Sequence, residues 1–368
     1  MVLETRTEAG VVSDGKLEGL QVARALAALS VAYFHSHTIF TSWHQATLFP
    51  IPGVKEHGYL GVNFFFAISG YVICTVCDRP NFSVRAFAIK RIFRLYPVYW
   101  AIVLAAILLK FCGVIIPTSY KLLNILYSMT LLPQAETAQP FLAVTWSLEF
   151  EIVFYILAAL IIPVFGVWGL AAVLFGLVYW TFHHTEPAFS FHLLRTLNSD
   201  FLAGVLAYLL RKPLSSVPVW LLIPCGLFSY YNVVSGWLIS FSGSFGGFLL
   251  VSAFANAKWR WRLPPLRWLT TVGDASYSLY LLHYVVIWIF VKLAERLGSP
   301  PPWTAEPMRF IYLGICVWLS IQAYRFIERP MIELGNRLAA RRQSGHVEGP
   351  AGIRPYQHED ITRDSTRA

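Results

Sequence analysis

The chain has 368 residues, of which 56% are hydrophobic, 16% aromatic and only 13% charged. Soluble domains carry roughly 25% charge, so this composition, with a mean hydropathy of +0.55, indicates a polytopic membrane protein. The formal net charge of +9 is concentrated beside apolar segments such as 85-RAFAIKRIFR-94 and 258-KWRWR-262, which suits anchoring to membrane lipids at the cytoplasmic face and excludes a nucleic-acid surface.

Residues 1–16 form a polar N-terminal tail without a cleavable signal pattern. About 20 apolar residues cross a bilayer as a helix. Such runs fall near 20–40, 59–77, 95–116, 142–163, 165–183, 195–211, 217–234, 237–256, 273–293 and 308–327. An all-α membrane protein with about ten transmembrane helices is therefore expected. Counting ten spans places the loop from Arg79 to Arg94, 211-RKP-213, 258-KWRWRLPPLRW-268 and the arginines 337, 341 and 342 on one side, with both termini cytoplasmic. Taking 122-LLNILYSMTLLP-133 as an eleventh span breaks that asymmetry, so it is expected to be re-entrant or interfacial. The membrane domain covers 17–332, and the polar segment 333–368 is expected to be a disordered cytoplasmic tail.

Ionisable residues inside apolar runs carry the chemistry, because their cost in hydrocarbon demands a role. In 21-QVARALAALSVAYFHSH-37, Arg24 lies near the cytoplasmic end. His35 is eleven residues further, about 16 Å along a helix. The histidine suits a general base, or a polar tie between helices. Arg24 suits either the same site or snorkelling to headgroups. His37 points roughly the opposite way from His35. Arg91 and Arg94 of 91-RIFR-94 share a helix face, which fits phosphate recognition or lipid anchoring. In 145-TWSLEFEIVFY-155, Glu151 lies deeper than Glu149 and could orient a histidine or pair with an arginine. Ser276, Tyr280 and His283 line one face of 273-GDASYSLYLLHYVVIW-288, a hydrogen-bonding seam between helices. Cys74 and Cys77 form a C-x-x-C within an apolar stretch; packing accounts for it, and no metal site is expected.

Taken in order, these segments resemble the acyltransferase-3 superfamily of integral membrane acyltransferases, in its single-domain form. The likeness begins with 17-LEGLQVARALAALSVAYFH-35 and continues through 61-GVNFFFAISGYVI-73, 91-RIFRLYPVYW-100, 146-WSLEFEIVFY-155, 276-SYSLYLLH-283 and 327-IERP-330. The resemblance implies transfer of an acyl group, most often acetyl from acetyl-CoA, to a hydroxyl of a carbohydrate or glycolipid acceptor at a bacterial inner membrane. It makes His35 and Glu151 the catalytic residues and assigns Arg24, Arg91 and Arg94 to the donor. Asn63, Ser69, Trp146, Ser276, Tyr280 and His283 are implied as substrate-contacting or supporting residues. Asn63 stands where the family usually has an acid, so no carboxylate role transfers to it. Relatives with a fused extracytoplasmic domain use it for the second stage of transfer. Without one, the acceptor reaches the membrane site directly or a partner acts on the outer side. His35 as general base and His35 as covalent acyl carrier both remain open, as does oligomeric state. A proton-coupled transporter or flippase is the rival class, although no repeat relates the two halves.

Overall fold

The structure is a computed structural model that describes residues 8–40, 50–113, 122–132, 140–183, 193–231, 238–256, 264–297 and 302–344. Hydrocarbon offers the backbone no hydrogen-bond partners, so an apolar run satisfies its own amides by coiling into a helix. Each of the ten apolar runs falls on one. They are α1 (Glu8–Phe40), α3 (Gly61–Cys77), α4 (Val84–Phe111), α6 (Trp146–His183, which holds two runs), α7 (Asn198–Leu209), α9 (Val219–Tyr231), α10 (Leu238–Asn256), α12 (Ser276–Leu297) and α13 (Ala305–Ala323). Between them lie α2 (Val54–His57), α5 (Leu122–Thr130), α8 (Arg211–Leu214) and α11 (Pro264–Asp274), and α14 (Arg329–Ser344) closes the described chain. Among the described residues, five helical stretches are long and apolar enough to cross a membrane: Val54–Cys77, Val84–Phe111, Ala143–His183, Ser276–Leu293 and Ala305–Ala340. With 12 residues, α7 rises about 18 Å, well short of a hydrocarbon core of about 30 Å. Large apolar side chains such as Leu104, Leu108, Leu160, Val164, Trp168, Phe310 and Trp318 are exposed, as a lipid-facing surface requires.

Several expected boundaries acquire a physical cause. The break between runs 142–163 and 165–183 lies within α6 at Gly166, whose φ of 68° and ψ of −177° interrupt the helix. Glycine adopts that left-handed φ without a Cβ penalty. Within the segment 122–133, Leu122–Thr130 forms the nine-residue α5, too short to cross. Its last carbonyls, which lack intrahelical donors, receive bonds from α4: Tyr99 Oη to Ser128 O at 2.7 Å, Trp100 Nε1 to Met129 O at 2.9 Å, and Tyr96 Oη to Thr130 O at 2.7 Å.

Two expectations about the ends change. Helix α1 begins at Glu8, within the expected polar tail. The segment from 333 continues as α14 through Ser344, with Gly335 against the Phe93 side chain and Ala339 buried. Met331, Ile332, Gly335, Leu338 and Ala339 form a helical stripe, but one too dilute to raise the local hydropathy. A π-helical turn, Tyr324–Glu328, joins α13 to α14 and buries Glu328. Residues 345–368 and the basic loop 258-KWRWR-262 lie outside the described residues.

Helix α1 is central and packs against α3, α10, α11, α12 and α13. Its alanines 23, 25, 27, 28 and 32 are buried and let neighbouring helices approach closely. Helices α3 and α7 meet through Gly70 and Gly204, where a Cβ on either would collide with backbone of the other helix.

Candidate active site

Four helical faces and one residue of α1 converge on a cavity of about 160 Å³, room for roughly ten waters. Its polar lining comprises Arg24 of α1, Ser69 of α3, Arg91 and Arg94 of α4, Ser147, Glu151 and Tyr155 of α6, and Ser276, Tyr277 and Tyr280 of α12. Helical periodicity makes the site. Residues 147, 151 and 155 recur every fourth position on α6, and 276 and 280 do so on α12, so each set forms one stripe.

Within the cavity, Arg24 Nε donates to Ser276 Oγ at 3.1 Å. The Arg91 guanidinium lies 5.1 Å from the Phe87 ring centre and 5.0 Å from that of Tyr155, within cation–π range. Its Nε is buried without a hydrogen-bond partner. Glu151 Oε1 accepts from Ser69 Oγ at 3.0 Å and from the Tyr155 hydroxyl. Arg24 lies within electrostatic reach of Arg94, Glu328 and Glu151, and Glu328 Oε2 accepts from Ser278 Oγ at 2.7 Å. Glu151 lines the same cavity as the three arginines.

His35 lies beyond the cavity floor, half-buried, against the fully buried His283. His283 Nε2 and His35 Nδ1 are 3.1 Å apart, His35 Nδ1 is 3.1 Å from Val31 O, and His283 Nδ1 is 3.2 Å from Leu279 O. Carbonyl oxygens only accept, so the network assigns the proton of each neutral ring to Nδ1. His283 Nε2 then accepts from His35, and the lone pair of His35 is on Nε2. Tyr312 Oη donates to His283 O at 3.0 Å and anchors that turn to α13. Tyr280 connects the two regions. It lines the cavity, its ring centre is 5.8 Å from that of His283, and its hydroxyl lies 2.8 Å from both Ser147 Oγ and Val144 O.

Seven of the eleven sequence-expected residues (Arg24, Ser69, Arg91, Arg94, Glu151, Ser276 and Tyr280) therefore share one cavity, and His35 and His283 form the pair behind it. Trp146 is on the outer side of α6, edge-on to Phe66 and Phe150. Asn63 belongs to a separate network, in which its Nδ2 donates to Asp200 Oδ2 at 2.6 Å. Ser244 Oγ donates to Asp200 Oδ1 at 2.7 Å and lies 2.7 Å from Ser199 Oγ. The carboxylate absent at position 63 is thus present across the α3–α7 contact.

Sequence reasoning missed Asp200, Ser147, Tyr155 and Tyr277. Asp200 was legible as a carboxylate in an apolar run, and Ser147 and Tyr155 as the i±4 neighbours of Glu151.

The family described as an acyltransferase domain, acyltransferase-3, matches residues 17–325. The chain is 27% identical over 313 residues to the exopolysaccharide production protein ExoZ of Rhizobium meliloti (strain 1021), covering 80% of this chain and 95% of that protein. It is 26% identical over 374 residues to "Putative O-acetyltransferase SACOL0978" of Staphylococcus aureus (strain COL), covering 87% of this chain and 58% of the relative. It is 26% identical over 388 residues to "Putative peptidoglycan O-acetyltransferase YrhL" of Bacillus subtilis (strain 168), covering 89% of this chain and 56% of the relative. No solved structure matches.

Proposed function

We propose that this chain, which belongs to the acyltransferase-3 family, moves acetyl from cytoplasmic acetyl-CoA to a hydroxyl of a carbohydrate or glycolipid acceptor. Membership makes it an acyltransferase; the donor, the acceptor and the residue roles are our reading. The observation that carries it is the convergence of Arg24, Arg91 and Arg94 on a cavity whose floor abuts the His35–His283 pair. The buried, unpartnered Nε of Arg91 and the two further guanidiniums suit phosphate oxygens, which arginine recognises through paired charge-assisted hydrogen bonds. A cavity of about 160 Å³ takes the slender thioester arm while a nucleotide stays at its mouth.

Acetyl-CoA supplies an activated acyl carbon. Nε2 of His35 takes the proton of the acceptor hydroxyl as its oxygen bonds to that carbon, the carbon–sulfur bond breaks, and the proton passes to the departing thiolate. His283 holds the His35 ring and fixes its tautomer. Glu151, pinned by Ser69 and Tyr155, keeps the arginines in place against one another's repulsion. Tyr280 separates the donor cavity from the histidines and is the side chain that must yield for the acyl group to reach them. The names of ExoZ and YrhL, one tied to exopolysaccharide and the other to peptidoglycan, support a carbohydrate acceptor. A cytoplasmic N-terminus, the side on which the basic loops gather, puts Arg24 and the arginine cavity on the acetyl-CoA side.

Mass spectrometry of envelope glycans from cells with and without the protein tests the reading. The reading expects one acetyl mass to be lost with the gene and restored by the wild-type chain but not by His35→Ala. Glycans identical in all three strains contradict it.

A further inference from the structure

On the opposite side of the histidine pair from the arginine cavity, α1 and α13 bring together a second polar cluster. His37 follows His35 by two residues, about 3 Å of helical rise. Arg309 precedes Tyr312, the residue bonded to His283 O, by one turn of the antiparallel helix. Arg309 lies within electrostatic reach of both His37 and Glu306. The Arg309 side chain is 0% exposed and that of Glu306 12%, and Arg309 Nη1 donates to Glu306 Oε1.

Five polar atoms here are buried without a hydrogen-bond partner: Nε and Nη2 of Arg309, Oε2 of Glu306, and Nδ1 and Nε2 of His37. Folded proteins rarely leave buried polar atoms unpaired, and such atoms call for an explanation. Five such atoms, on three side chains of two helices, offer a set of contacts that one polar ligand can satisfy together. Their chemistry names its class. Nε and Nη2 lie along one edge of the guanidinium and present two parallel N–H donors at the spacing of two neighbouring oxygens. Glu306 already neutralises the arginine, so the fork suits neutral oxygens better than a second anion. Oε2 of Glu306 accepts, and the His37 ring offers one donor and one acceptor. A set of mixed donors and acceptors fits hydroxyls, each of which both donates and accepts. The Tyr33 ring, 4.7 Å from that of His37 and edge-on to it, adds an apolar wall.

We propose that His37, Glu306 and Arg309 form the acceptor subsite, holding adjacent hydroxyls of a saccharide while another hydroxyl of the same molecule reaches His35 on the other face of α1. The inference rests on the acyl-transfer reading above. It assigns donor and acceptor to opposite sides of the histidine pair, so that the acyl group crosses between them and the nucleotide does not.

The test compares wild type with two variants, His37→Phe and the double variant Arg309→Met/Glu306→Gln. His37→Phe keeps a ring against Tyr33 and removes only nitrogens that have no partner, so a merely structural residue tolerates it. Glycan acetylation is read by mass spectrometry in cells whose own copy is deleted, and acetyl-CoA affinity by thermal shift of the purified protein. Acetylation should fall by roughly tenfold or more in both variants, the scale of a lost hydrogen bond to substrate, while acetyl-CoA affinity stays within about twofold of wild type. Unchanged acetylation in His37→Phe, or a parallel loss of acetyl-CoA affinity, overturns the assignment. Failure of the wild-type protein to bind acetyl-CoA would instead count against the acyl-transfer reading itself.

Discussion

His35 Nδ1 lies 3.1 Å from both Val31 O and His283 Nε2, and that shared bond puts the lone pair on the opposite nitrogen. Replacing His35 with Ala should therefore lower transfer by about 10²–10⁴-fold, the usual contribution of a positioned base, with the protein still recovered intact. On the proposed mechanism His283 acts through His35 and not on substrate. His283→Leu should reduce kcat with little change in the acetyl-CoA KM. His283→Gln, whose amide oxygen can accept from Nδ1–H, should recover part of the rate. Equal losses in both variants would give His283 a packing role alone. The sequence exposes His35 and Arg24 because ionisable residues in an apolar run stand out. It placed His283 in a seam without naming its partner, since two residues 248 positions apart meet only through the packing of α1 on α12. For the same reason Glu151 was legible as an acid in an apolar run, while its attachment to Ser69 on α3 was not, and it is Glu149, expected to lie shallower, that is buried.

Between elements, the α3–α7 contact depends on the absence of side chains at Gly70 and Gly204 and on the Asn63–Asp200 hydrogen bond. Asn63→Leu leaves the buried carboxylate without one donor and should cost about 1–3 kcal/mol, seen as a lower Tm with the donor site unaffected. Gly204→Leu drives a side chain into the Ala67 carbonyl and should cost more, since overpacking alone typically costs about 1–3 kcal/mol and a backbone collision adds to it. A Tm for Gly204→Leu equal to wild type would mean that the two helices are not in contact. At this scale the sequence was read well where hydrophobicity is dense. Among the described residues every apolar run lies on a helix, and the α6 break at Gly166 falls close to the expected boundary. It was read poorly at α14, where a stripe anchored by Gly335 and Ala339 packs on α4 without being hydrophobic on average. It set 122–133 apart from the spans but was silent on how α5 is held, since its C-terminus is fixed by hydroxyl and indole donors from another helix and not by its own sequence.

Over the whole molecule, the polar residues form a series through an otherwise apolar body: the arginine cavity, Tyr280 and Ser147, the histidine pair, then His37 with Glu306 and Arg309. A series of this kind suits moving a small group rather than a whole substrate. Changing Arg91 and Arg94 together to Ala should raise the acetyl-CoA KM by roughly 10- to 100-fold, as expected for two lost charge-assisted contacts, while glycan acetylation recovers at saturating donor. Loss of expression without a KM change would make them anchors to lipid. The account depends most on His35 being where the thioester is opened. Purified protein incubated with acetyl-CoA and a carbohydrate extract from the deleted strain measures this directly, through the rate at which free CoA thiol appears. The account predicts thiol release by the wild-type chain and none above background from a folded His35→Ala variant; equal release from the two would contradict it.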